Sequence, residues 1–308
     1  MDKLVIDIGA TNTKYALMTV DGQILEKDKV PTNYESPEAY FNNIAMIAEK
    51  FMNFVDAIAI STNGRMYPDG NTYRSYTMKF LRGMNLKQEV EARTGLPVVV
   101  LNDGFSAALG EWWKGSGQGY ENLLVIVLGS GMGGGLILNG QLYQGNRLNA
   151  AMIFGMLSAY GNGRFEISGL TTSFSLLLYQ LSQIKHIPIQ EMTGERFFEF
   201  VAQGDPAAIG MLDTYCQAVA GLIYNASLLL DLDCTIVTGG LSQQPALIEN
   251  IHRKLEEIPK NFNMEQVSSF LDVIAFDYED FQVNLKQGGL ALDANIYGAL
   301  YYLLHYNK

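Results

Sequence analysis

Two glycine-bearing loops and two carboxylates are the residues of this chain with the most chemistry to offer. In Leu124–Gly145, LVIVLGSGMGGGLILNGQLYQG, an apolar run ends at Gly129 and Ser130, Gly131 and further glycines follow. Glycine at that density lets backbone N–H groups approach a phosphate that a Cβ would hold off, although hairpin chemistry alone also favours it. Residues 5–25, VIDIGATNTKYALMTVDGQIL, repeat the plan, with Gly9, Ala10, Thr11, Asn12 and Thr13 as the loop. Gly9 falls on Gly129 and Thr13 on Gly133, and Asp21-Gly22 falls on the Asn139-Gly140 turn after a two-residue deletion.

Asp7 stands between Ile6 and Ile8 at the mouth of the first loop. A carboxylate there is costly to bury without a donor or a cation. It either caps the loop's own N–H groups or acts as an outer-shell partner of nucleotide-bound Mg²⁺. Lys14 and Thr11 are placed to touch phosphate, and Lys14 equally suits an exposed strand position. Asn102-Asp103 ends the apolar run Val98–Leu101. Asp103 would cap the following helix, or would take a proton from a substrate hydroxyl as it attacks the γ-phosphoryl group of ATP. Gly239-Gly240 leaves room for a flat group such as adenine, or simply turns a strand into a helix.

These residues need strands that end together and helices that follow. Apolar spacing predicts helices over Tyr40–Phe54, Leu86–Thr94, Phe105–Lys114, Ser173–Gln183, Thr193–Gln203, Asp213–Leu230, Pro245–Glu257 and Asp293–Tyr306, the last with Asp293 as N-cap. Buried strands are expected over Val55–Ser61, Val98–Leu101, Cys234–Thr238 and Val273–Phe276. Alternating strands and helices give an α/β class with a mixed sheet in each of two domains. The duplicated hairpins suggest repeated units with the layout of the actin-like (ribonuclease H-like) ATPase fold. Gly115–Gly119 is the candidate domain boundary.

Composition narrows the classes further. Hydrophobic residues make up 48% and charged residues 17%, so the chain can bury a large core. A net charge of −11 argues against nucleic-acid or anionic-membrane surfaces. Two cysteines and three histidines make neither a disulfide framework nor a zinc site. The first strand starts within a few residues, and no stretch reaches the ~20 apolar residues of a membrane span. A cytoplasmic location, with no membrane or nucleic-acid partner, is the expectation.

Together the motifs resemble the ROK family of sugar kinases and sugar-responsive regulators. DIGATNTK lies at 7–14, ND at 102–103, LGSGMGGG at 128–135, VTGG at 237–240 and LDANIYGAL at 292–300. TGLPVVVLND before the acid and EMTGERFFEF after it look most like the zinc-free, β-glucoside-kinase-like branch. The resemblance implies a bilobal fold, with lobes at residues 1–116 and 117–292 and the closing helix, 293–308, packed back on the first lobe. It also implies a homodimer, common in the family, and a transferase that uses ATP and Mg²⁺ on a sugar. It implies Asp103 as catalytic base and Asn102 as a sugar ligand. Gly9–Lys14 and Gly129–Gly131 would form the phosphate cradle, with Gly239, Gly240 and Leu241 near adenosine.

The family's Gly-Glu-x-Gly-His, whose Glu and His hold the sugar, is replaced here. The stretch reads Ala150-Ala151-Met152-Ile153-Phe154-Gly155-Met156, with Met152 or Ile153 at the Glu position and no His. The Cys-rich zinc loop is missing too, so no structural zinc is expected. Phe105 replaces the Asn two residues after the base, and Ser61-Thr62-Asn63-Gly64 replaces the usual SxPG turn. Such changes remove fixed polar groups from a sugar pocket. Asn63, Gly64, Arg65, Arg147 and Asn149 remain to contact sugar, although singly each reads as an ordinary loop residue. The phosphate machinery favours a kinase for a hexose, amino sugar or β-glucoside. The alternative is a non-catalytic sugar or nucleotide sensor. A DNA-binding version of it is disfavoured, because the family's repressors carry a helix-turn-helix domain before the first strand.

Overall fold

The computed structural model describes residues 1–75, 78–159, 165–261 and 281–306. In chain order the first elements are β1 (Asp2–Ile8), β2 (Asn12–Met18), β3 (Ile24–Pro31), α1 (Pro37–Glu49), β4 (Val55–Thr62), β5 (Arg65–Met66), β6 (Thr72–Arg74), α2 (Leu86–Thr94), β7 (Val98–Asn102) and α3 (Asp103–Lys114). Then come β8 (Leu123–Leu128), β9 (Met132–Leu138), β10 (Gln141–Leu142), β11 (Leu157–Ala159), β12 (Phe165–Ile167), α4 (Ser168–Thr171), α5 (Phe174–Lys185), α6 (Gly194–Ala202) and α7 (Pro206–Leu230). β13 (Cys234–Thr238), α8 (Pro245–Glu257), β14 (Leu285–Gln287) and α9 (Ala294–His305) complete the series. The strand expected at Val273–Phe276 lies outside the described residues.

Among the described residues there are two five-stranded sheets, with orders β3-β2-β1-β4-β7 and β10-β9-β8-β13-β14. Both are mixed. In the first, β1 to β3 pair antiparallel while β1, β4 and β7 pair parallel. In the second, β9 and β10 are antiparallel, whereas β13 lies parallel to β8 and β14. The chain divides into two compact units. Unit 1 comprises Met1–Glu121, Gly134–Ala151 and Gly289–Lys308; unit 2 comprises Asn122–Gly133 and Met152–Gly288.

In unit 1 the period of two sorts the sheet's faces. Leu4, Ile6, Ile8, Ile58, Ile60, Val98 and Val100 share one buried cluster with Phe41, Ile44 and Val90 of α1 and α2. Asp7, out of phase with them, lies on the face where α9 packs, and there Asn295 reaches it.

Helices α3 and α9 approach backbone to backbone. A Cβ on Gly110 would overlap the Ala294 carbonyl oxygen, and one on Gly298 would overlap that of Ser106. Gly104 faces Gly134 of β9 in the same way, so α3 is pressed closely on two sides. Fully buried Glu111 closes the arrangement, accepting from the N–H of Ser116 (3.1 Å), Gly289 (2.9 Å) and Leu290 (3.2 Å).

Unit 2 is held by rings: Phe174 of α5 packs against Phe197 and Phe198 of α6 and Tyr215 of α7, with centroids 5.3–5.9 Å away.

Several helix limits differ from the sequence expectation, each for a local reason. α1 stops at Glu49, and Phe51 and Phe54 follow in tight turns bonded three residues back. α7 starts at Pro206, because Asp205 caps it by accepting from Ala208 N–H at 3.0 Å. Asp293 occupies the N-cap position of α9 but makes no capping bond; its carboxylate pairs instead with Lys27 of β3 at 2.7 Å.

Candidate active site

β1 delivers Asp7 to its C-terminal end, 5% exposed. Asn295 Nδ2 donates to it at 3.0 Å, and Lys14, its register partner on β2, has Nζ 3.6 Å away. Burial pushes the Asp7 carboxyl above its ordinary range, and Asn295 and Lys14 offset only part of that. Lys14 Nζ also donates to the Leu292 carbonyl at 3.2 Å.

The loop that follows is braced from behind. Thr32 Oγ1 donates to Gly9 O at 2.9 Å and Tyr34 OH does so at 3.2 Å. Thr11 O accepts from Thr32 N–H at 3.0 Å. Ala10 and Thr11 stay exposed at the tip, and Asn12 is half-buried behind them. Thr13 is buried, with its hydroxyl paired to Thr32 at 3.0 Å.

At the end of β7 the helix cap is Asn102, not Asp103. The Asn102 side-chain oxygen accepts from the N–H of Gly104 (2.9 Å) and Phe105 (3.2 Å). Its Nδ2 donates to Gly64 O at 2.7 Å and to Asp103 Oδ1 at 3.0 Å. Capping needs an extended residue before the first turn, which Asn102 is, while Asp103 is already helical. Asp103 Oδ1 also accepts from Gly104 N–H at 2.9 Å. Its Oδ2 makes no hydrogen bond among the described residues, and the residue keeps a partial opening to solvent. Desolvation raises the Asp103 carboxyl to about 6; the Gly104 N–H works against that, and the negative charge of Asp7 adds to it.

Asn63 and Gly64 sit beside this pair. Gly64 has φ +106°, which its type permits, and its carbonyl meets Asn102. Asn63 Oδ1 accepts from Ser75 Oγ at 2.9 Å. Arg65 bonds Asn149 through its guanidinium and lies over the Tyr73 ring, 4.9 Å from its centre. Arg147 is exposed. Unit 1 thus holds Asp7, the 9–14 loop, Asn63, Gly64, Asn102 and Asp103, with Arg65 and Asn149 joined as a pair.

Unit 2 holds the other two loops. Gly129 N–H donates to Gly131 O at 2.9 Å, and Ser130 O accepts from the N–H (3.1 Å) and hydroxyl (3.0 Å) of Ser175, the second residue of α5. A Cβ on Gly129 or Gly131 would meet no protein atom, so their openness faces away from the fold. Gly239 differs. It has φ +94°, and a Cβ would stand 2.5 Å from Leu128 O, so β8 itself requires glycine there. Gly240 has open space and Leu241 is buried. In the replaced segment, half-buried Met152 precedes a single 3₁₀ turn, Ile153–Gly155, and Ile153 is buried.

Sequence reasoning missed a cavity of about 770 Å³ in unit 2, lined by α4, α5 and α7. Its wall is largely apolar, including Leu170, Leu176, Pro206 and Met211, with Thr171 and Glu166 as polar points. Tyr215 also lines it, and its buried hydroxyl has no hydrogen-bond partner among the described residues. The size and lining suit a small flat molecule. The signal that would have extended α7 this far is Asp205-Pro206, a capping residue followed by a proline suited to the first helical position.

No helix among the described residues is long and apolar enough to cross a membrane, and none of their acidic, His and Cys side chains group in threes as a metal site. Both cysteines, Cys216 and Cys234, are free and buried.

The chain belongs to the ROK family, whose model matches residues 3–155 and 176–284. It is 30% identical over 251 residues to a β-glucoside kinase of Listeria innocua, covering 80% of this chain and 84% of that one. It is 31% identical over 284 residues to a glucokinase of Streptomyces coelicolor, covering 81% and 85%. A ROK family glucokinase from Streptomyces griseus, solved with glucose and AMPPNP, superposes with a TM-score of 0.78 over 98% of each chain at 24% identity, a likeness of fold. The resemblance to the β-glucoside-kinase-like branch is borne out by these relatives, and the architecture is the actin-like ATPase α/β fold with two mixed sheets.

Proposed function

We propose that the protein is an ATP- and Mg²⁺-dependent sugar kinase with Asp103 as general base. The observation that carries this reading is the Asp103 carboxylate. One oxygen is fixed by Asn102 and Gly104, the other makes no hydrogen bond among the described residues, and burial pushes the carboxyl up to about 6. A base poised just below neutral is ionised at pH 7 yet basic enough to receive a proton. The sugar hydroxyl gives its proton to Asp103 Oδ2 while its oxygen bonds to the γ-phosphorus, and the bond from that phosphorus to the departing ADP oxygen breaks.

The phosphates are assigned to the N–H groups of the Gly9–Lys14 and Gly129–Gly131 loops. Adenosine is assigned to the α4–α5–α7 cavity together with Gly239–Leu241. Asp7 fits a water-mediated role toward Mg²⁺. It is a hard oxygen donor whose burial is only partly offset, and a divalent cation would supply the missing positive charge. When bound, Mg²⁺ would neutralise charge developing on the phosphates. Asn102, Asn63 and Gly64 are the nearest polar groups for the sugar, and Arg147 is a further candidate.

The test is ADP release with Mg-ATP across hexoses, amino sugars and β-glucosides. Sugar-dependent release that disappears in Asp103→Asn supports the kinase. Saturable ATP or sugar binding without release from any sugar would instead make this a binding-only sensor, with Met152 and Ile153 at the position of the missing acid as the reason.

A further inference from the structure

The segment that follows β3, residues 32–34, engages every carbonyl of the loop at 9–11. Asn33 Oδ1 accepts from Glu35 N–H at 2.9 Å, a side-chain turn that bends the chain before α1. Thr32 Oγ1 donates to Gly9 O at 2.9 Å, so the proton between it and Thr13 Oγ1, 3.0 Å away, comes from Thr13. Thr32 N–H donates to Thr11 O at 3.0 Å. The Tyr34 hydroxyl spans the rest, reaching Gly9 O at 3.2 Å and also Ala10 O. For the Ala10 carbonyl, Tyr34 is the only partner among the described residues.

A peptide unit is planar and trans, so a carbonyl turned one way sends the N–H of the same unit the other way. With Gly9 O and Ala10 O held by Thr32 and Tyr34, the N–H groups of Ala10 and Thr11 are turned away from that segment. Both residues are exposed, and neither N–H makes a hydrogen bond among the described residues. Successive N–H groups offered on one side form a concave donor pair suited to an anion. Holding a short loop in that one arrangement costs backbone entropy, which the bonds to its carbonyls offset in advance of binding. We infer that Tyr34 is a positioning residue of the nucleotide site: its hydroxyl fixes the Gly9 and Ala10 carbonyls so that the Ala10 and Thr11 N–H groups stand ready for a phosphate of ATP.

This rests on the sugar-kinase reading and names a residue that shapes its phosphate cradle without touching the phosphate. The test is calorimetric titration of the full chain with Mg-ATP and with adenosine, which carries no phosphate, for wild type and Tyr34→Phe. That substitution deletes only the hydroxyl of a side chain that is 38% exposed, so the fold is kept, as thermal unfolding checks. In Tyr34→Phe the Kd for Mg-ATP rises roughly 3–10-fold, while that for adenosine stays within about twofold, as expected for loss of one hydrogen bond behind the loop. An unchanged Kd for Mg-ATP, or equal weakening of both ligands, overturns the positioning role and leaves the kinase standing. So does a wild-type protein that binds Mg-ATP no more tightly than adenosine. A wild-type protein that binds neither removes both.

Discussion

The side chain of Asn102 donates to Asp103 Oδ1 at 3.0 Å while its own oxygen caps the first turn of α3. The cap and the proposed base are therefore neighbours with separate duties. Asn102 absorbs the helix's need for an acceptor and holds one Asp103 oxygen still, which leaves the other oxygen for chemistry.

Asp103→Asn preserves the acceptor for Gly104 N–H and removes the proton acceptor. Turnover is expected to drop by ~10²–10⁴-fold. Nucleotide binding, followed by calorimetry, should persist. Retained turnover would remove Asp103 from the mechanism.

The same group sets a pH dependence. Its folded-state pKa is raised from 3.8 to about 6, so between those values the native chain holds a proton that the unfolded chain has released. That contribution to stability is complete below 3.8 and is lost as pH rises through 6. Relative to wild type, Asp103→Asn should gain about 1–3 kcal/mol between pH 4 and pH 8 in urea unfolding. Wild-type kcat/KM should rise tenfold per pH unit below 6 and level off above it. A flat acid limb would contradict the assignment.

Gly298→Ala tests the contact of α9 with α3. The added methyl overlaps the Ser106 carbonyl oxygen, which is helix backbone and cannot swing aside. A loss of roughly 1–3 kcal/mol or more is expected, read as a lowered urea midpoint. By contrast Gly95→Ala, where no atom is near but φ is +71°, should cost only the left-handed backbone penalty of about 1 kcal/mol.

Gly210→Leu tests the unit 2 cavity as a nucleoside site. A Cβ at Gly210 meets nothing within 4 Å, so the side chain enters open space along the cavity wall and helix propensity improves. The KM for ATP should rise roughly tenfold, equivalent to ~1.4 kcal/mol, with thermal stability kept. An unchanged KM would place the nucleoside elsewhere.

Much of the local structure could be read from residue types. α2 ends at Thr94 as expected because Gly95 takes the left-handed conformation after it, and α8 starts at Pro245, a residue suited to a first helical position. Tertiary competition defeated the rest. Asp293 is the right residue for a cap, but Lys27, 266 positions away, takes its carboxylate. Gly104, Gly110 and Gly298 look like helix-weakening residues until α3, β9 and α9 are seen to touch through them. Gly239-Gly240 reads equally as room for a flat ligand or as a plain turn, and only the fold separates the two glycines: the Leu128 carbonyl requires the first, while the second has open space beside it. The loops at 9–14 and 129–131 were visible because glycine and small polar residues follow apolar strands. The cavity was not, since it is made by three helices whose lining residues are individually unremarked.

The placement of α9 bears on how the chain is made. Unit 1 contains residues from Met1 onward, yet its sheet face around Asp7 is covered by a helix that is translated only after the whole of unit 2. Unit 2 can collect its main body while the ribosome is still at work; unit 1 must wait, its apolar face open, until Ala294–His305 has emerged. Nascent unit 1 is thus the stretch with the longest exposure to chaperones, and truncation before Asn295 would leave it permanently unfinished.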